Sequence, residues 1–170
     1  MKVLIAGVGN IFLGDDGFGV EVARALSKRQ LPEGVSVKDY GIRGFDLAYA
    51  LLDPWGLVII ADAVSRGETA GTLFVIEPER NVPGPANTEL NPHGMDPVRV
   101  LSLAASMGTI SAQVLVVGCE PNDFGDELEG RMGLSSPIQG AVEAACDMIL
   151  DLVATRHADA VQFIDSGEVT

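Results

Sequence analysis

The residues best placed to do chemistry begin at Gly7-Val8-Gly9-Asn10, which follow an aliphatic run and precede a helical pattern. A glycine loop in that setting is where a dinucleotide-binding fold cradles pyrophosphate. Two features oppose that use. The third glycine of the G-x-G-x-x-G pattern falls at Phe12, and Asp15-Asp16 set two carboxylates at the helix start, where phosphate would need positive potential. Asp39, after the second apolar run, imitates the acid that binds a ribose, but it stands alone. One carboxylate at Asp15-Asp16 is explained by capping the helix. Two, followed by Gly17 and Gly19 that leave room above the helix start, suit a cation or a polar substrate equally well.

Other catalytic schemes lack their context. There is no G-x-S-x-G elbow and no H-E-x-x-H. A Ser-His-Asp triad would have to use His93 or His157, the only histidines, with Ser65, Ser102, Ser106 or Ser111, none of which carries a flanking signature. Cys119 and Cys146 lack metal-motif spacing and read as small core residues, Cys146 lying close to an apolar helical stripe. His157, near the end of the last helical pattern, is explained by the negative end of the helix dipole.

The elements that must position these groups alternate along the chain. Val3 to Ala6, Leu57 to Ala61, Leu73 to Ile76 and Val114 to Val117 are strand-length aliphatic runs of the kind covered on both faces. Val35 to Lys38 alternates and predicts a strand with one wetter face. Gly19, Val22, Ala23 and Leu26 share one helical face, a second helix covers Phe45 to Leu52, and Asp96-Pro97 opens a third as N-cap and first-turn proline. Ser136-Pro137-Ile138-Gln139 offers a capping box before a stripe of Ile138, Ala141, Val142, Ala145, Ile149, Leu152 and Val153. This order predicts an α/β fold, a three-layer sandwich with a largely parallel central sheet flanked by helices. One domain is expected over 1–157, with a loosely structured tail at 158–170. Pro78 to Pro92 is the one long irregular stretch, and loops of that length are usually functional.

Composition narrows the function classes. With 11 basic against 24 acidic residues the net charge is −13, which opposes nucleic acid or an anionic membrane as partner. No apolar stretch approaches the roughly 18 residues of a membrane span, and the first apolar run is too short for a secretory signal. A soluble, cytoplasmic protein is the expectation.

From Gly7-Val8-Gly9-Asn10 to Asp15-Asp16-Gly17-Phe18-Gly19-Val20, the chain resembles the N-terminal signature of the hydrogenase maturation endopeptidases. Asp39-Tyr40-Gly41-Ile42-Arg43-Gly44, Asp62-Ala63, Asn91-Pro92-His93, Gly118-Cys119-Glu120-Pro121 and Gly133-Leu134-Ser135 match later segments in order, from Met1 to about Leu152. The resemblance implies a protease that removes a C-terminal peptide from the large-subunit precursor of a [NiFe] hydrogenase. It also implies that Asp16, Asp62 and His93 form a metal-binding trio that recognises nickel already inserted in the precursor, with no permanent metal of the protease's own. Many relatives carry glutamate at the position of Asp16, and Gly-Thr where Ile42-Arg43 stands.

The residue types agree with that implication. Asp16 follows the first strand and Asp62 closes the third, so a parallel sheet brings both to its carboxyl edge, where such sheets bind ligands. Two carboxylates and an imidazole suit a borderline divalent ion, which would polarise a carbonyl or acidify a bound water. Asp39, at the same edge, is a candidate general base or substrate-positioning group. Plainer roles stay open: Asp62 as a turn cap, His93 as an ordinary loop histidine, Arg43 as a partner of Asp39 or Asp46. So do two other functions, a non-catalytic nickel-binding or chaperone-like module for the precursor and a metal-dependent hydrolase of small substrates.

Overall fold

The computed structural model describes residues 1–78, 96–125 and 130–165, with 159–165 as helix backbone. Strands β1 (Val3–Val8), β2 (Val35–Gly41), β3 (Leu57–Ala63), β4 (Leu73–Ile76) and β5 (Gln113–Cys119) form one sheet in the order β2-β1-β3-β5-β4. All pairs are parallel except β4 with β5. β4 is reached from β3 without a crossover helix, so it returns in the opposite direction along the edge. The helices are α1 (Phe18–Leu26), α2 (Gly44–Ala50), α3 (Pro97–Met107) and α4 (Ser136–Asp165), with a 3-10 turn at Gly14–Gly17 ahead of α1.

Uninterrupted apolar runs supply two cores. In β1, Val3 and Ile5 face α1 and α4, while Leu4, Ala6 and Val8 face α2 and α3; β3 divides Leu57, Ile59 and Ala61 from Val58 and Ile60 in the same way. Each buried aliphatic side chain contributes roughly 1.5–3 kcal/mol, so both helical layers are strongly held. β2, at the edge, alternates exposed Ser36 and Lys38 with half-buried Val35 and Val37, as its pattern predicts.

Three details differ from the sequence expectation. β4 is not covered on both faces: it is an edge strand, half-buried along its length with Val75 exposed, because only β5 pairs with it. Gly19 leaves no space above the helix start. A Cβ there would lie 2.0 Å from the Ala61 carbonyl oxygen and 2.4 Å from that of Val8, so this glycine lets α1 press directly onto β1 and β3. The last helix also extends to Asp165, which makes residues 158–165 helical backbone instead of a loose tail. From Arg156 to Asp165 neither glycine nor proline interrupts it. His157 is therefore inside the helix rather than at its dipole end, and its Nε2 lies 3.1 Å from the Met1 carbonyl oxygen. Residues 166–170 lie outside the described residues.

Candidate active site at the β1–β3 crevice

The chain leaves β1 toward β2 on one side and returns to β3 on the other, so the strand order reverses between β1 and β3. The carboxyl ends of those strands open the crevice where such sheets take ligands. Gly9, with φ +127°, ends β1, and a Cβ on it would lie 1.8 Å from the Asp16 carbonyl oxygen. Only glycine lets the 3-10 turn fold back onto the strand this closely.

That turn sends its two acids to different tasks. Asp15 is fully buried and accepts hydrogen bonds from the backbone N–H of Asn122 (2.9 Å), Asp123 (2.9 Å) and Ser135 (2.6 Å), and from the Ser135 hydroxyl (2.8 Å). Burial pushes its carboxyl up, but these bonds together outweigh burial and hold it below the ordinary aspartate value. Asp15 thus ties the segment after β5 to the loop after β1. Ser135, the residue before α4, is drawn into that tie, and its carbonyl receives the Gln139 N–H at 2.8 Å. The start of α4 therefore sits one residue earlier than a box capped by Ser136 requires.

Asp16 has one such bond, from the Asn10 backbone N–H to Oδ2 at 2.7 Å. Burial pushes its carboxyl up by more than that bond draws it down. Asp62, at the end of β3 and 5 % exposed, is pushed well above the ordinary range. Burial is the main cause, the charge of Asp16 adds to it, the Ala63 N–H opposes it, and the charge of Asp96 adds again. Two poorly solvated carboxylates that repel each other favour a proton or a cation between them.

Their oxygens fit a borderline divalent ion as part of a donor set. Among the described residues no three His, Cys, Asp or Glu side chains are placed to hold a metal. The third expected ligand, His93, lies outside the described residues.

Asp39 is not brought to this pair. It stands opposite Gly7 in β2, with β1 between it and β3, about 10 Å across two strand spacings. Alternation puts Asp39 on the face of Val35 and Val37, and Asp62 on the opposite face with Val58 and Ile60. Arg43 pairs with backbone instead of the Asp39 carboxylate: its guanidinium donates to the carbonyls of Asp39 and, at 3.0 Å, Tyr40, with Asp46 4.0 Å away.

Three acids have tasks that the sequence did not disclose. Asp96 caps α3 through the Val98 N–H at 2.9 Å, as its position predicts, yet its charge also reaches Asp62. It lines a mainly apolar cavity of about 530 Å³ between α3 and the β4–β5 edge, beside the crevice rather than over it. Glu120 accepts from the N–H of Arg66 (2.7 Å) and Gly67 (3.2 Å) and from the Ser65 hydroxyl (3.2 Å), fixing the loop after β3. Asp15 is the third. No spacing signals such long-range partners. Ser65 is thereby engaged by a carboxylate, and Cys119 and Cys146 are buried thiols pushed up by burial to about 12 and about 11, which suits core residues and not nucleophiles.

A family model described as hydrogenase maturation protease matches residues 20–152. The chain belongs to the hydrogenase maturation protease family. It is 29% identical to the Hydrogenase 2 maturation protease of Escherichia coli over 162 residues, covering 95% of this chain and 96% of that one. It is 33% identical to the hydrogenase expression/formation protein HoxM of Azotobacter vinelandii, covering 91% of this chain and 73% of that one. Among solved structures, the hydrogenase maturating endopeptidase HybD from E. coli superposes with a TM-score of 0.73 at 29% identity, over 92% of this chain and 94% of that one. A hydrogenase 2 maturation peptidase from a Thaumarchaeota archaeon superposes at 0.67 and 29%, over 91% and 99%. This protease therefore has the family's α/β fold and an endopeptidase role in hydrogenase maturation. Among the described residues no helix is long and apolar enough to cross a membrane.

Proposed function

We propose that this protease removes the C-terminal peptide from a [NiFe] hydrogenase large-subunit precursor, and that it does so by grasping nickel already bound in that substrate. The observation that carries this reading is the Asp16–Asp62 pair, two buried carboxylates at the switch crevice, each pushed up by burial, with the charge of Asp16 adding to the shift of Asp62. A divalent ion arriving on the substrate relieves that repulsion, so precursor carrying nickel binds better than precursor without it. His93 completes the grasp as third ligand. The substrate's own ligands fill the remaining positions, so the protease needs no resident metal. Asp16 and Asp62 hold the ion and so fix the scissile bond over the crevice, and the ion polarises the carbonyl or acidifies the attacking water. Asp39, across β1 and on the other face, is too far from the pair to act as the base and is left a substrate-positioning role at the rim.

The test is intact-mass analysis of a large-subunit precursor from the same genome, with and without nickel, incubated with wild-type protein and with Asp16→Ala. Loss of a discrete C-terminal peptide only from the nickel-loaded precursor with wild type is expected. Cleavage of the nickel-free precursor at the same rate would remove nickel recognition. An uncut precursor in the presence of folded wild type would favour a binding module that holds the precursor without cutting it. Equal processing rates with Asp39→Asn and wild type would exclude Asp39.

A further inference from the structure

Six of the nine large hydrophobic side chains that stand exposed among the described residues gather around the loops that form the crevice. Phe12, Phe124 and Met132 form one group. The Arg131 N–H donates to the Phe12 carbonyl at 2.8 Å, the Gly14 N–H to the Arg131 carbonyl at 2.7 Å, and the Asp15 N–H to the Asp123 carbonyl at 3.2 Å. These bonds hold the three side chains on adjoining stretches of backbone. Ile42, Phe45 and Tyr49 form the other group. Phe45 and Tyr49 are four residues apart on α2, away from its buried Leu47 and Ala48. The backbone segments that carry the two groups are joined where the Gly9 N–H donates to the Gly41 carbonyl at 3.0 Å, one residue before Asn10, whose N–H holds Asp16.

Five of these side chains, all but Phe124, are 58–70 % exposed, in a chain with only 5% aromatic residues. Exposed aromatics and methionine gathered around a site mark an interface rather than scattered surface. We propose that this rim is the docking surface for the folded body of the hydrogenase precursor, a protein face that presents apolar residues to it. The proposal rests on the protease reading above. Asp16 is held by the Asn10 N–H, two residues before Phe12 and one after the Gly9–Gly41 bond, so a polypeptide whose scissile bond reaches Asp16 arrives within a few residues of both groups. A second copy of this chain fits worse: it would close the crevice and set two surfaces of net charge −13 against each other.

The experiment measures steady-state cleavage of purified nickel-loaded precursor by wild type and by two double variants, Phe45→Ala/Tyr49→Ala and Phe12→Ala/Met132→Ala. In each double variant KM is expected to rise about tenfold or more with kcat unchanged, as for loss of buried interface anchors. Thermal midpoints should match wild type because the side chains are exposed. Phe45→Leu and Tyr49→Phe should hold KM near wild type. An unchanged KM in both doubles overturns the docking surface and leaves the protease reading intact. If wild type leaves the precursor uncut, that reading fails, and native mass spectrometry then judges the surface separately. A complex formed by wild type and lost in the doubles supports it; no complex with wild type overturns it. A concentration-dependent dimer of wild type that the doubles abolish overturns it in favour of a second copy.

Discussion

Replacing Asp15 or Asp62 removes the same carboxylate from two buried positions, and the two losses should have opposite signs. Asp15→Ala strands the N–H groups of Asn122, Asp123 and Ser135, so we expect a loss of about 2–4 kcal/mol in urea unfolding. Asp62→Asn takes away a charge that burial and Asp16 both disfavour, so it should raise stability at pH 7 by about 1–3 kcal/mol while abolishing processing. The native Asp62 carboxyl binds its proton more tightly than the unfolded chain does, so its contribution to stability worsens as pH rises through the native value. The advantage of Asp62→Asn should therefore shrink as pH falls from neutrality toward about 4, the ordinary carboxylate value. A constant difference between variant and wild type from pH 4 to pH 8 would contradict that placement of Asp62. Asp15 runs the other way: its support is present above the ordinary aspartate value and is lost only as pH falls through the lower native one.

At the scale of elements, the site depends on how closely α1 and its preceding turn press on the sheet. Gly19→Ala places a methyl group against the backbone oxygens of Ala61 and Val8, neither of which can swing aside. We expect at least about 3 kcal/mol of destabilisation in chemical denaturation, with loss of processing in whatever folds, because the turn carrying Asp16 must retreat. A variant of wild-type stability and rate would show that α1 has slack against β3. The strands were legible because the runs have strand length and β-branching, although only the inner ones are buried on two faces; which runs lie at the edge, as β4 does, depends on the sheet order. Helices were legible from their stripes, and α3 also from the Asp96-Pro97 cap. The start of α4 was not, because Ser135 and Ser136 are adjacent hydroxyls and only the distant Asp15 selects between them. The end of α4 was not either, because its apolar stripe thins after Val153 while the backbone finds no reason to stop.

The whole molecule joins an acidic surface, a crevice with an incomplete donor set and an apolar rim. Isolated protein should bind free Ni²⁺ no more tightly than micromolar by calorimetry, since two carboxylates and an imidazole leave the coordination sphere open for ligands the substrate brings. Nanomolar binding would instead mark a protein with a metal of its own. The chain by itself determined the layer architecture, the edge at which Asp16 and Asp62 emerge and the family to which it belongs. Those follow from local pattern: hydrophobic period, glycine position and motif order are all written along the backbone. Only the tertiary structure decided which of Asp15 and Asp16 is tied down, that Asp96 lies near Asp62, and that Asp39 stands two strands away on the opposite face. Each of these depends on strand order and on hydrogen bonds between residues far apart in the chain, and no spacing within a sequence specifies which strand lies beside which.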